Sequence, residues 1–268
     1  MSSLVTVERR AGYAIVGLNR PEKKNALNRA ARRELLDALT SLRAECRAIV
    51  VTGSGDTFCS GVDLKEARAD AEVGTAPDPR SDWIEVLIAI REHPAVFIAA
   101  VNGVALGGGA TLISVCDLAV AAHEAEIGMP EIGFGAYPQF SGPGAQIQLT
   151  AKRAAWLVLT AQRIDGRTAE SWGMVNRAVP LAALMDEADR LAKIVSAFDA
   201  VALAESKRAL DTIPALISGW RQSFEHGLST NARIRSLSAA QDEGFSRFSA
   251  GERNPGQGRL TWLTGPPA

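Results

Sequence analysis

The chain has 268 residues, 29 basic against 30 acidic, and its formal charge of -1 lacks the basic excess that a nucleic-acid surface requires. A composition 47% hydrophobic and 22% charged is that of an ordered globular chain, one that buries roughly three quarters of its unfolded surface. Three scattered cysteines, Cys46, Cys59 and Cys116, argue against a disulfide framework, and their spacing with the histidines against a zinc site. The opening MSSLVTVERR has no basic-then-apolar signal pattern, so a cytoplasmic location is expected.

Val5 and Val7, then Ala14, Val16 and Leu18, alternate around Gly12 and predict a half-buried hairpin. A polar run from Arg20 to Asn28 leads into a helix whose Leu35, Leu36 and Leu39 recur at helical spacing. AIVVTG, ending at Gly53, reads as a buried strand, and SGDTFCSGVDL after it as a glycine-containing loop. From about Lys65 to Arg80 no periodicity is visible, which predicts a mobile stretch. Helical spacing resumes from Trp83 to Ile90 and stops at His93-Pro94.

The uncharged run from Val96 to Cys116, VFIAAVNGVALGGGATLISVC, has the length of a membrane span. Asn102, four glycines and the closing Asp117 instead divide it into a strand, a glycine-rich turn and a buried helix, so no membrane association is expected. LAVAA is a further strand, and EIGMPEIG a strand and turn. After Ser141 the chain turns mainly helical. RTAESWG ends at Gly173, VNRAV is a strand, and long amphipathic helices are predicted over about Leu181 to Phe198 and Trp220 to Phe248, before a tail rich in Gly and Pro. Strands alternating with helices, then helices alone, define an α/β chain with ligands at strand ends and helix starts.

Two places bend the backbone ahead of a helix, Ser60-Gly61 and Gly107-Gly108-Gly109. Amide hydrogens there lack internal partners, and two aimed at one point form an oxyanion hole. Tight packing of a helix on a sheet needs the same glycines. LGGGATL has neither GxGxxG spacing nor a Gly-Lys-Ser/Thr ending, which removes NAD and ATP as expected cofactors. Glu131 stands in GMPEIGFG among apolar and glycine neighbours. A carboxylate in an apolar cavity has a raised pKa and suits acid-base work, although a capped turn residue would look the same. Asp63 and Asp117 read as loop organisers. His93, His123 and His226 have unrelated spacings, and Ser60 has no His/Asp partners for a triad.

Four ordered segments, NRPEKKNALN, VVTGSGDTFCSGVDLKE, AAVNGVALGGGATLISVCDLAVA and GMPEIGFGAYP, make the chain resemble the crotonase, or enoyl-CoA hydratase/isomerase, superfamily from about Val5 to Phe248. The resemblance implies an α/β fold, a spiral of ββα turns over residues 1–200, and a helical region over 201–268 that mediates a homotrimer or dimer of trimers and closes the acyl-CoA site. It implies a CoA thioester as substrate with no separate cofactor and no metal. The backbone amides of Ser60 and Gly108 would hold the thioester oxygen while Glu131 moves the proton. Lys23, Lys24, Asn25 and Ala26 would meet the CoA adenine and phosphates. Gly61, Asp63, Leu64, Gly107, Pro130, Tyr137 and Phe248 would line the substrate; the basic partner of Phe248 falls near Gly251, with Arg247 and Arg253 as substitutes.

One departure decides the chemistry expected. Hydratases of this family carry a glutamate shortly after the glycine run as well as the one in the PE pair, and here that first position is Thr111. A hydroxyl hydrogen-bonds but is no efficient base at neutral pH. The resemblance therefore implies single-glutamate double-bond isomerisation first. Hydration or an aromatic hydratase-lyase reaction by Glu131 alone follows, then hydrolysis, decarboxylation or a non-catalytic acyl-CoA-binding or assembly subunit. Trp83 would come from the mobile cover of the site, and Phe134, Tyr137 and Phe140 would serve either the acyl pocket or the core.

Overall fold

The computed structural model describes residues 3–63, 65–66, 82–216 and 219–240, with positions 242, 243, 246 and 250. Leu64, Arg247, Phe248, Gly251, Arg253, most of the aperiodic stretch and the tail lie outside the described residues.

Gly12, at φ +83°, turns the chain between β1 (Val5–Arg10) and β2 (Tyr13–Leu18), which pair antiparallel. Beyond β2 the sheet continues in parallel through β3 (Ala48–Gly53), β5 (Val96–Val101), β7 (Leu118–Ala122) and β10 (Arg177–Val179). These strands read as unbroken apolar runs because both faces are covered. Ile49, Val51, Phe97, Ala99 and Val101 face one core with Leu35, Leu39 and Leu42 of α1 (Arg29–Leu42). Val50, Ile98, Ala100 and Val120 alternate to the other face, against Leu184, Ala188 and Ala192 of α7 (Leu184–Ser196). The start of α1 is fixed by Asn28, whose side chain accepts from Ala31 N–H at 2.9 Å.

A second sheet is made of very short strands: β4 (Thr57–Cys59), β6 (Val104–Leu106), β8 (Glu126–Gly128) and β9 (Ile164–Asp165). Three of them fall in segments that sequence periodicity left as loops or did not resolve, since two or three residues are too few to show alternation. Helix α2 (Asp82–Arg91) precedes β5, and α3 (Gly108–Val115) follows β6 directly. The apolar run from Val96 to Cys116 is therefore a strand and a buried helix, as expected, with a second short strand, β6, where only a glycine-rich turn was expected. No described helix is long and apolar enough to cross a membrane.

Helices α4 (Ser141–Gln148), α5 (Ala151–Thr160) and α6 (Gly166–Trp172) follow, α6 ending at Gly173 with φ +79°. Helices α8 (Ala200–Leu216) and α9 (Trp220–Leu237) follow, and beyond them the described residues 240, 242, 243 and 246 are helical again. The first was not singled out by periodicity. The helix expected from Trp220 to Phe248 is broken after the second of these at Ser238, which is extended at φ -148° and ψ 143°.

The helical region is anchored in the first sheet. Lys207 of α8 is 5% exposed and donates to Ile90 O at 2.9 Å and Ala95 O at 3.0 Å, and pairs with Asp117 Oδ2 at 2.9 Å. Asp117 also accepts from Phe97 N–H at 2.8 Å and pairs with Arg91 at 3.2 Å. Spiral and helices thus share one buried ionic centre.

Candidate active site

The start of α3 sits where β4 and β6 end. Gly107 takes φ +52°, which lets β6 turn straight into the helix, and its N–H donates to Gly128 O at 3.0 Å. Gly108 is the first helical residue, so its N–H has no carbonyl one turn back. Gly61, at φ +98°, lies against it: a β-carbon on Gly108 would stand 3.2 Å from Gly61 Cα and 3.4 Å from Val62 N. The glycines here are a requirement of two backbones in contact.

The amide beside Gly108 is that of Val62. Leu27 and Val62 form a parallel bridge, in which Leu27 N–H donates to Gly61 O at 2.8 Å and Asp63 N–H donates to Leu27 O at 3.2 Å. That bonding uses the groups flanking Val62 and turns its own N–H to the opposite side of the strand. Neither Val62 N–H nor Gly108 N–H donates to another described group. Ser60 does: its N–H is held by Lys24 O at 3.0 Å. The expectation that Ser60 supplies an oxyanion donor is corrected accordingly.

Glu131 enters from a 3-10 turn, Pro130–Phe134, whose proline presets the first turn and whose end is Gly135 at φ +74°. Its Oε1 would lie 2.8 Å from any β-carbon at residue 107, so the carboxylate rests directly against the glycine run. Ser141 Oγ, on a side chain 1% exposed, donates to Oε1 at 3.5 Å. Oε2 is buried without a described hydrogen-bond partner. Burial pushes the Glu131 carboxyl above its ordinary value, against weaker downward pulls from its own backbone and from Ser141.

Thr111, 2% exposed, turns its hydroxyl back along α3 to Gly107 O at 3.1 Å. It is a buried helix residue, with no base at hand. Asn25 is also corrected: its 1% exposed side chain accepts from Arg20 N–H at 2.9 Å and donates to Ser54 O at 2.9 Å and Thr57 O at 2.6 Å. All of its hydrogen bonds are internal, so it braces the loop that presents the exposed Lys23 and Lys24 and the partly buried Ala26. Asp63 pairs with Arg20 at 3.3 Å and, like Asp117, organises its loop.

Trp83, expected in a mobile cover, is instead a core residue at 2% exposure, and Phe140 is partly buried against the same core. Phe134 is 73% exposed, and half-exposed Tyr137 lays its hydroxyl across Gly142, 2.6 Å from where a β-carbon would be. His93 is buried between Leu39 O and Ala95 N–H. Among the described residues no group of three or more His, Cys, Asp and Glu side chains could hold a metal ion. Two site residues escaped the sequence reading, Val62 and Ser141. Val62 owes its place to Leu27, far back along the chain, and Ser141 to the turn that brings it back over Glu131.

The model of the family described as enoyl-CoA hydratase/isomerase matches residues 8–239. The chain belongs to this family. It is 36% identical over 253 residues to the probable enoyl-CoA hydratase echA8 of Mycobacterium tuberculosis, covering 91% of this chain and 94% of that one. A hydroxycinnamoyl-CoA hydratase-lyase of Pseudomonas fluorescens is 30% identical over 255 residues and covered to 91%, as is this chain. The crystal structure of an enoyl-CoA hydratase of Mycobacterium smegmatis superposes with a TM-score of 0.85 at 28% identity, covering 94% of this chain and 98% of that one. The spiral of strand-helix units with its helical C-terminal region is the fold of this enoyl-CoA hydratase/isomerase family.

Proposed function

We propose that this family member acts on an enoyl-CoA thioester by shuttling one proton with Glu131. The thioester oxygen accepts from the N–H groups of Val62 and Gly108. Glu131 removes a proton from the carbon α or γ to the carbonyl, charge moves onto the oxygen as the dienolate forms, and the two amides strengthen as it grows. Glu131 then returns the proton to the other carbon, and the double bond has moved with nothing gained or lost. The exposed Lys23 and Lys24 are suited to CoA phosphates. Pro130 and Gly107 hold Glu131 in place, and Tyr137 reaches the acyl end.

The observation that carries this reading is the lone carboxylate. Glu131 is half-buried, with Oε2 buried and without a described partner, while the helix position that would hold a second glutamate is a threonine bonded to its own helix. The hydratase-lyase named among the relatives favours a second reading: hydration of an aromatic enoyl thioester by Glu131, then carbon-carbon cleavage.

Incubation with matched trans-2-, cis-3- and trans-3-enoyl-CoA in deuterated water, followed by mass spectrometry, separates the readings. Positional isomers without added water support the shuttle. A 3-hydroxyacyl product moves the reading to hydration, and its breakdown to a shorter aldehyde marks the lyase. Glu131→Gln is expected to abolish turnover while CoA-ester affinity is kept; unchanged turnover would remove Glu131 from the mechanism.

The same proposal includes an oligomer, a trimer or dimer of trimers. The helical region leaves Leu210, Phe224, Leu228 and Leu237 more than half exposed, an apolar surface of the kind subunits cover.

A further inference from the structure

The two oxygens of Glu131 are equivalent in a free carboxylate and stand in different surroundings here. Oε1 faces Gly107 and accepts the Ser141 hydroxyl, whereas Oε2 is buried with no described partner. Ser141 is the first residue of α4 and is 1% exposed. Buried hydroxyls inside helices usually bond to the carbonyl one turn back, as Ser114 does to Ala110 O at 3.1 Å and Thr111 to Gly107 O. Ser141 has no helical turn behind it, and its one described side-chain hydrogen bond goes to Glu131. The 3.5 Å length fits a catalytic contact that shortens when substrate fills the site.

We infer that Ser141 is a positioning residue that holds Glu131 by Oε1, leaving Oε2 as the oxygen that carries the proton. This rests on the proton-shuttle reading. A carboxylate gripped on one oxygen keeps its orientation through both proton transfers, and the other oxygen, which no described group holds, is left to take the proton. Among the described residues the surroundings hold no unpaired competing charge. Helices α3 and α4, reading GGATLISV and SGPGAQIQ, contain no ionisable group. Of the basic residues of α5, which packs on the Glu131 turn, Lys152 is exposed and Arg153 is bound to Trp172 O at 3.0 Å. Across the site, Asp63 is paired with Arg20.

The test is Ser141→Ala, with Ser141→Cys as a weak-donor companion that guards against a folding artefact. For Ser141→Ala, kcat should fall roughly tenfold, the factor of one hydrogen bond to a charged group, with KM within about twofold. The acid limb of the kcat profile should move to higher pH, because a bond to the charged form has been removed. The cysteine variant should lie between. Titration of the Glu131 carboxyl by 13C NMR in the substrate-free enzyme should show the same upward movement without relying on turnover. A folded Ser141→Ala enzyme with wild-type kcat and an unmoved carboxyl titration overturns the inference. If Glu131→Gln is inactive while Ser141→Ala behaves as wild type, only the positioning role fails. An active Glu131→Gln enzyme instead removes the shuttle reading itself.

Discussion

Gly107 shows how little latitude the site allows. Its φ of +52° and the 2.8 Å between a notional β-carbon and Glu131 Oε1 are two separate objections to a side chain. Gly107→Ala should cost about 1–3 kcal/mol in stability from the backbone alone, since φ +52° with ψ -109° is scarcely open to an L side chain. It should also displace the carboxylate and lower kcat by about 100-fold. Thermal melting with steady-state kinetics checks both; full activity would show that Glu131 has room to move. The raised carboxyl gives a further expectation. Glu131 is a base only when ionised, so turnover should fall as pH drops through a value above the ordinary glutamate range. Glu131 and the glycine run were legible in the sequence because a proline turn and three consecutive glycines mark themselves. The choice between Ser60 and Val62 was not. It depends on Lys24 O capturing one amide and Leu27 bracketing the other, contacts made only when separated loops meet.

At the level of elements, long parallel strands declared themselves through unbroken apolar runs, and α1 through leucines at helical spacing. Three of the four strands of the second sheet stayed hidden because they are only two or three residues long, although that sheet aims the glycine run at Glu131. Helix α8 matters through Lys207. Burial pulls its ammonium below the usual lysine range while Asp117 pulls it back up. Lys207→Met keeps the stem but strips a buried partner from Asp117 and from two carbonyls. Breaking such a pair should cost about 3–5 kcal/mol in urea-induced unfolding. A loss below about 1 kcal/mol would mean that Asp117 is adequately served by Arg91 and Phe97 N–H.

For the molecule as a whole, the apolar face of α8 and α9 predicts assembly. Light scattering after gel filtration should give three or six times the protomer mass. Phe224→Glu combined with Leu228→Glu should return monomers while the circular dichroism of the protomer persists. A wild-type monomer would place the interface elsewhere or nowhere. Nothing in the sequence pattern alone separates such a face from helices packed inside one chain, since both require the same apolar stripe.

The bond between Lys207 and Asp117 also sets an order on synthesis. Asp117 leaves the ribosome long before residue 207, and at roughly 5–20 residues per second the delay lasts several seconds. During that interval the first sheet holds Asp117 with only Arg91 and a backbone amide to satisfy it. The nascent spiral therefore matures from its far end. Its ionic centre is completed by a lysine made late, and a chain ending before that lysine would leave Asp117 without its ammonium partner.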